Sequence, residues 1–85
     1  MGEFTSRYRK IGRRLAFYRE IRGLTQEQLA DMTNLSKSYI SKIEAPNSTV
    51  AFSLDVLFTI TDALKIDMTL LFAPTIREDI DQLDK

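Results

Sequence analysis

The 85-residue chain contains no cysteine and no histidine. Without them there is no disulfide framework, no soft or imidazole ligand set for zinc, and no Ser-His or Cys-His pair for nucleophilic catalysis. Most of the enzyme chemistry open to a small domain is thereby removed, and no cofactor or metal is expected. A glycine-rich phosphate loop is also missing. No apolar run approaches the roughly 20 residues needed to cross a bilayer, and the N-terminus has no signal-peptide h-region, so a soluble, cytoplasmic protein is expected. The length suits one small domain with one modest core, which leaves no room for a second, ligand-sensing domain.

Net charge is absent too, with twelve Lys/Arg against twelve Asp/Glu. The balance is nevertheless polarised along the chain. Residues 1–44 hold nine basic residues against five acidic ones, a net of +4, whereas residues 45–85 hold three against seven, a net of −4. A polyanion responds to the local potential at the docking face rather than to the total, so a basic front and an acidic rear remain compatible with nucleic acid.

The most informative stretch runs from Leu24 to Glu44. Thr25 is a good N-cap with Gln28 three residues on, and Leu29 and Met32 fall on one face, which predicts a helix from about Gln26 to Thr33. Asn34 follows as the residue that, after glycine, best tolerates the positive φ of a tight corner. Ser36 then caps a second helix, on which Ile40 and Ile43 face inward while Ser38, Ser41 and Lys42 face outward, with Lys37 and Tyr39 on the flanks. A solvated face usually carries long charges of both signs. Small hydroxyls between two lysines instead let a helix approach a partner closely and donate hydrogen bonds, as a helix in the DNA major groove must.

Thr25-Gln26-Glu27-Gln28-Leu29-Ala30, followed by Ser36, Ile40-Ser41 and Ile43-Glu44, resembles the Cro/repressor-type helix-turn-helix of the XRE family, and the likeness extends from Ile11 to Phe72. The resemblance implies an all-α, five-helix, λ-repressor-like domain whose third helix enters the major groove. It also implies that Gln26 meets phosphate, that Lys37, Ser38, Tyr39 and Lys42 face the groove, and that Arg19 pairs with Glu44 to clamp helix 3 against helix 1. Ser36, Ser41 and Asn47 complete the candidate DNA-binding set. Two departures stand out: Asn34 replaces the family's usual turn glycine, and Ala45-Pro46-Asn47 replaces the usual glycine after the final glutamate.

Along the rest of the chain, residues 7–74 are expected to form the DNA-binding domain and residues 75–85 a separate acidic segment. Met1 to Ser6 reads as a lead-in, and a helix is indicated from Arg7 to Arg22, with Tyr8, Ile11, Leu15, Tyr18 and Arg22 along one side and Gly23 as its stop. Ala45 to Ala51 is a loop, in which Asn47, Ser48 and Thr49 are candidate phosphate contacts. Ser53 caps helix 4, whose inner stripe is Leu57, Ile60 and Leu64; Asp67 caps a short fifth helix through about Phe72.

Apolar residues between Val50 and Ala73 exceed one helical stripe, since Phe52, Val56, Phe58, Met68 and Leu70 come in addition to Leu57, Ile60, Ala63, Leu64, Leu71 and Phe72. An exposed patch follows, with Phe58 and Leu70 as the leading anchors of a homodimer. In the tail, Ile76, Ile80 and Leu83 recur at helical spacing among Glu78, Asp79, Asp81 and Asp84. This is either a short amphipathic acidic helix or a solvating tail, and three branched aliphatics in register favour the helix. Phe17 and Ile21 form a second apolar strip on helix 1, on which that tail is expected to dock.

Together these readings point to a non-enzymatic transcriptional regulator of a prokaryote or phage, a repressor acting as a homodimer on double-stranded operator DNA. The alternative is an antitoxin or protein-interaction adaptor whose helix-turn-helix serves autoregulation, with a separate protein as partner.

Overall fold

The structure is a computed structural model, and it describes residues 2–73. Four α-helices follow one another, α1 (Thr5–Ile21), α2 (Gln26–Thr33), α3 (Lys37–Glu44) and α4 (Leu54–Leu64), and a 3-10 turn (Met68–Leu71) comes after them. The all-α class is as the sequence indicates, but the fifth element is a single 3-10 turn rather than an α-helix. The segment is closed by i to i+3 bonds, the Leu70 N–H donating to the Asp67 carbonyl and the Phe72 N–H to the Thr69 carbonyl. The expected C-terminal helix, the proposed boundary at residue 75 and the tail's docking lie outside the described residues.

Local chemistry accounts for the helix ends. Thr25 and Gln28 form a reciprocal capping box, the Thr25 hydroxyl accepting from the Gln28 N–H at 3.0 Å and the Gln28 side chain accepting from the Thr25 N–H at 2.8 Å. Ser36 and Ser53 cap α3 and α4 by accepting from N–H groups three residues on. Asn34 adopts the left-handed conformation at φ 62°, and Gly23 does so after α1 at φ 72°. Lys65 does the same at the end of α4, at φ 56°. Pro46 and Asn47 occupy a turn closed by the Ser48 N–H donating to the Ala45 carbonyl.

The core gathers Leu15, Leu29, Ile40, Ile43, Leu57, Ile60, Leu64 and Leu71 around the packing of α1 on α3, α2 on α3 and α2 on α4. Several sequence expectations need correction here. Helix α1 begins at Thr5, two residues earlier than expected, and ends at Ile21. Met32 is exposed; Ala30 and Thr33 fill the inner face of α2 instead, the Thr33 hydroxyl being satisfied by the Leu29 carbonyl. Phe52 belongs to the core, stacked edge-on against Tyr8 at 5.0 Å, whereas Phe72 is half exposed.

Helices α1 and α3 approach closely at Gly12. A Cβ on Gly12 would lie 2.0 Å from the Ile43 carbonyl oxygen, so the two backbones meet where no side chain fits.

Candidate nucleic-acid interface

The Gly12 contact presses the C-terminal end of α3 onto α1, and the residues on either side of it lock the two helices together. Arg19, buried on α1, donates Nε–H to Glu44 Oε2 at 2.8 Å and Nη2–H to Glu44 Oε1 at 2.9 Å. Its remaining terminal nitrogen donates to the Leu24 carbonyl at 2.5 Å. The Glu44 hydrogen bonds hold the Arg19 guanidinium above its ordinary pKa, against an opposing cost of burial. A fork of two parallel bonds fixes both distance and rotation, so the pair sets how α3 lies across the domain. Gln26, at the start of α2, adds a third strut by donating its amide N–H to Glu44 Oε1 at 3.0 Å.

Held in this way, α3 presents a row of exposed side chains, Lys37, Ser38, Ser41 and Lys42, while Ile40 and Ile43 are buried behind it. The remaining sequence-derived candidates are engaged elsewhere to different degrees. Tyr39 is half-buried and packs against the core. The Ser36 hydroxyl accepts the Tyr39 N–H as the α3 cap. Gln26 is half-buried, and its amide is spent in part on Glu44, although its backbone N–H sits in the first turn of α2, where helical N–H groups lack partners and favour an anion. Asn47 is exposed, and its carbonyl, with that of Ser48, accepts from the Arg9 guanidinium, which ties the loop to α1.

Arg13 was not among the sequence candidates, yet it stands exposed beside this face. With Gln26, Ser41 and Pro46 it rims a shallow depression of about 380 Å³ over the Arg19–Glu44 pair. No group of three or more acidic, histidine or cysteine side chains among the described residues is arranged to hold a metal.

Two short helices meeting at a left-handed Asn34, the second exposed along one side and clamped from behind, define the fold, and the helix-turn-helix domain family matches residues 12–74. The chain belongs to that family. Among solved structures, this helix-turn-helix protein is similar to the restriction-modification controller protein C.AhdI from Aeromonas hydrophila, at 32% identity and a TM-score of 0.71, covering 78% of this chain and 97% of that one. A hypothetical transcription factor, NHTF from Neisseria, shares the fold at 20% identity and a TM-score of 0.71, over 92% of this chain and 84% of that one. No curated protein matches it. The helix-turn-helix protein thus has the fold of DNA-binding transcription regulators. No helix among its described residues is long and apolar enough to cross a membrane.

A second surface concerns assembly. Leu54 and Phe58 lie one turn apart on α4 and are both exposed, as are Leu70 and Phe72 at the 3-10 turn that packs on α4. Leu54, the first residue of α4, was not among the sequence candidates.

Proposed function

We propose that this protein is a sequence-specific, non-enzymatic transcriptional repressor that binds operator DNA as a homodimer and occupies one major groove with each α3. The observation that carries the reading is the exposed row Lys37, Ser38, Ser41 and Lys42 on a helix fixed at its far end by a buried bidentate ion pair. Rigid presentation matters because base readout depends on side chains reaching base edges in a set register. Lys37 and Ser38, at the N-terminal end of α3, are assigned to bases, and Lys42 is shared between base and phosphate. Arg13, the first-turn N–H groups of α2 and the loop at Asn47 are assigned to the backbone on either side. The likeness to the controller protein C.AhdI supports the regulatory role.

One helix in one groove reads only a few base pairs, so two copies reading half-sites roughly 34–36 Å apart supply the rest of the specificity. Phe58 and Leu70, exposed on α4 and the 3-10 turn, are the anchors of that dimer. The same apolar surface also suits an unlike protein, as the antitoxin reading requires. Selection of fragments from random DNA, followed by sequencing, tests the proposal: an enriched motif with two-fold symmetry is the expected result. Retention with no enriched motif would reject sequence-specific readout, and a motif without symmetry would reject the dimer.

A further inference from the structure

A groove of about 650 Å³ runs beside the N-terminal half of α1, with Tyr8, Ile11, Phe52, Leu57 and Leu71 among the residues lining it. Arg7 and Arg14 stand at its edge, and none of the described residues that line it is acidic. An apolar channel with a basic margin suits an amphipathic segment carrying acids along one side.

Its position within the chain identifies the segment. Leu71 and Phe72 line the groove, and Arg14 donates to the Leu70 carbonyl at 3.4 Å and to the Ala73 carbonyl. The chain therefore leaves its last described residue at the groove's rim, tethered by an arginine that belongs to the wall. The residues that follow carry Ile76, Ile80 and Leu83 at i, i+4 and i+7, with Glu78, Asp79, Asp81 and Asp84 between them. As a helix, residues 76–83 would be about 12 Å long and would place the three aliphatics on one side.

We propose that residues 75–85 occupy this groove within their own subunit, Ile76, Ile80 and Leu83 entering against Tyr8, Ile11 and Leu57, with the acids beside Arg7 and Arg14. This relocates the tail from the Phe17 and Ile21 strip suggested by sequence, because neither of those residues is among the groove's lining, and the strip lies further along α1. Leu54 and Phe72 line the groove as well, so the docked tail covers them and leaves Phe58 and Leu70 for the second copy.

The absence of cysteine makes a single-site label unambiguous. A nitroxide attached to full-length protein carrying Gln82→Cys should broaden the amide signals of Arg7, Ile11 and Leu54 in isotope-labelled protein, and a further Ile80→Asp change should abolish the broadening and lower the melting temperature by several degrees. Broadening centred on Phe17 and Ile21, or no broadening at all, would overturn the proposal. So would an unchanged melt for Ile80→Asp. In a mixture of isotope-labelled chains without nitroxide and nitroxide-bearing chains without isotope, broadening of the groove signals would assign the tail to another subunit and overturn docking within the chain.

Discussion

Replacing Gly12 by alanine sets two sizeable effects against each other, and the structure decides the sign. In the interior of a 17-residue helix, Gly→Ala gains about 1 kcal/mol of helix propensity, so a surface glycine would be improved by the change. Here the new methyl would meet the Ile43 carbonyl oxygen at 2.0 Å and its carbon at 3.1 Å. A backbone oxygen cannot rotate aside, so α1 and α3 must part by about 1 Å merely to bring 2.0 Å to 3.0 Å. Overpacking of this kind costs about 1–3 kcal/mol, and more where relief requires backbone movement. The same displacement, applied to the Arg19–Glu44 bonds at 2.8 and 2.9 Å, stretches them past the range of a hydrogen bond and weakens a buried pair whose full loss costs about 3–5 kcal/mol. The net expectation is a loss of about 2–3 kcal/mol, equivalent to roughly 10–20 °C in melting temperature for a domain of this size. Thermal and urea denaturation followed by far-UV circular dichroism measures it. A Gly12→Ala protein that melts at or above the parent temperature would refute the claim that this contact sets the α1–α3 spacing.

Removing one partner of the clamp by Glu44→Ala should destabilise the domain by about 3–5 kcal/mol, and Arg19→Lys, which keeps the charge but loses the fork, should recover only part of that in the same denaturation assay. In DNA titrations across salt, Lys42→Ala should reduce the log–log slope by about one to the extent that it contacts phosphate, whereas Lys37→Ala and Ser38→Ala should each cost about 1–3 kcal/mol at a particular base pair; unchanged affinity and preference for both would remove α3 from the groove. Phe58→Asp and Leu70→Asp should shift sedimentation from dimer to monomer at tens of micromolar without lowering the melting temperature of the monomer, while a parent protein that is monomeric both free and on DNA would end the dimer proposal. The exposed Asp67 carboxylate is held below its ordinary pKa, first by the Thr69 hydroxyl and then by the Thr69 N–H. Its contribution is therefore complete above the unfolded-state value of about 3.9 and is lost as pH falls through the lower folded-state value, so the stability gap between the parent and Asp67→Ala should close on acidification below about pH 4.

Features written in short-range chemistry were legible from sequence alone. The Thr25–Gln28 capping box, the Asn34 corner, the Ser36 and Ser53 caps and the Gly23 stop each depend on residues within a few positions of one another, and they are present as read. What depends on a distant partner was not. Gly12 looks like an ordinary weak point in a helix until the Ile43 carbonyl is seen against it. Met32 was misassigned because helical periodicity gives a stripe's direction but not its width, and the neighbouring helices decide which flank is covered. Within the interface, the outward row of α3 was readable from its own period, whereas Arg13 required knowing that α1 runs alongside Gln26 and Ser41.

Arginines of α1 and its C-cap residue Arg22 reach into several other parts of the described chain. Arg9 holds the carbonyls at Asn47 and Ser48, Arg14 those at Leu70 and Ala73, Arg19 those of Leu24 and the Glu44 side chain, and Arg22 those at Leu64 and Lys65. One helix and its C-cap thus tie down the 45–53 loop, the α1–α2 junction, α3 and the end of α4. Opening any of these segments then breaks a bond to the element that the others share, so partial opening gains little freedom for what it loses. Slow amide exchange in α2, α3 and α4 should accordingly converge on one common opening free energy, that of whole-domain unfolding, leaving no separately melting subunit through which α3 could loosen while the rest stays folded.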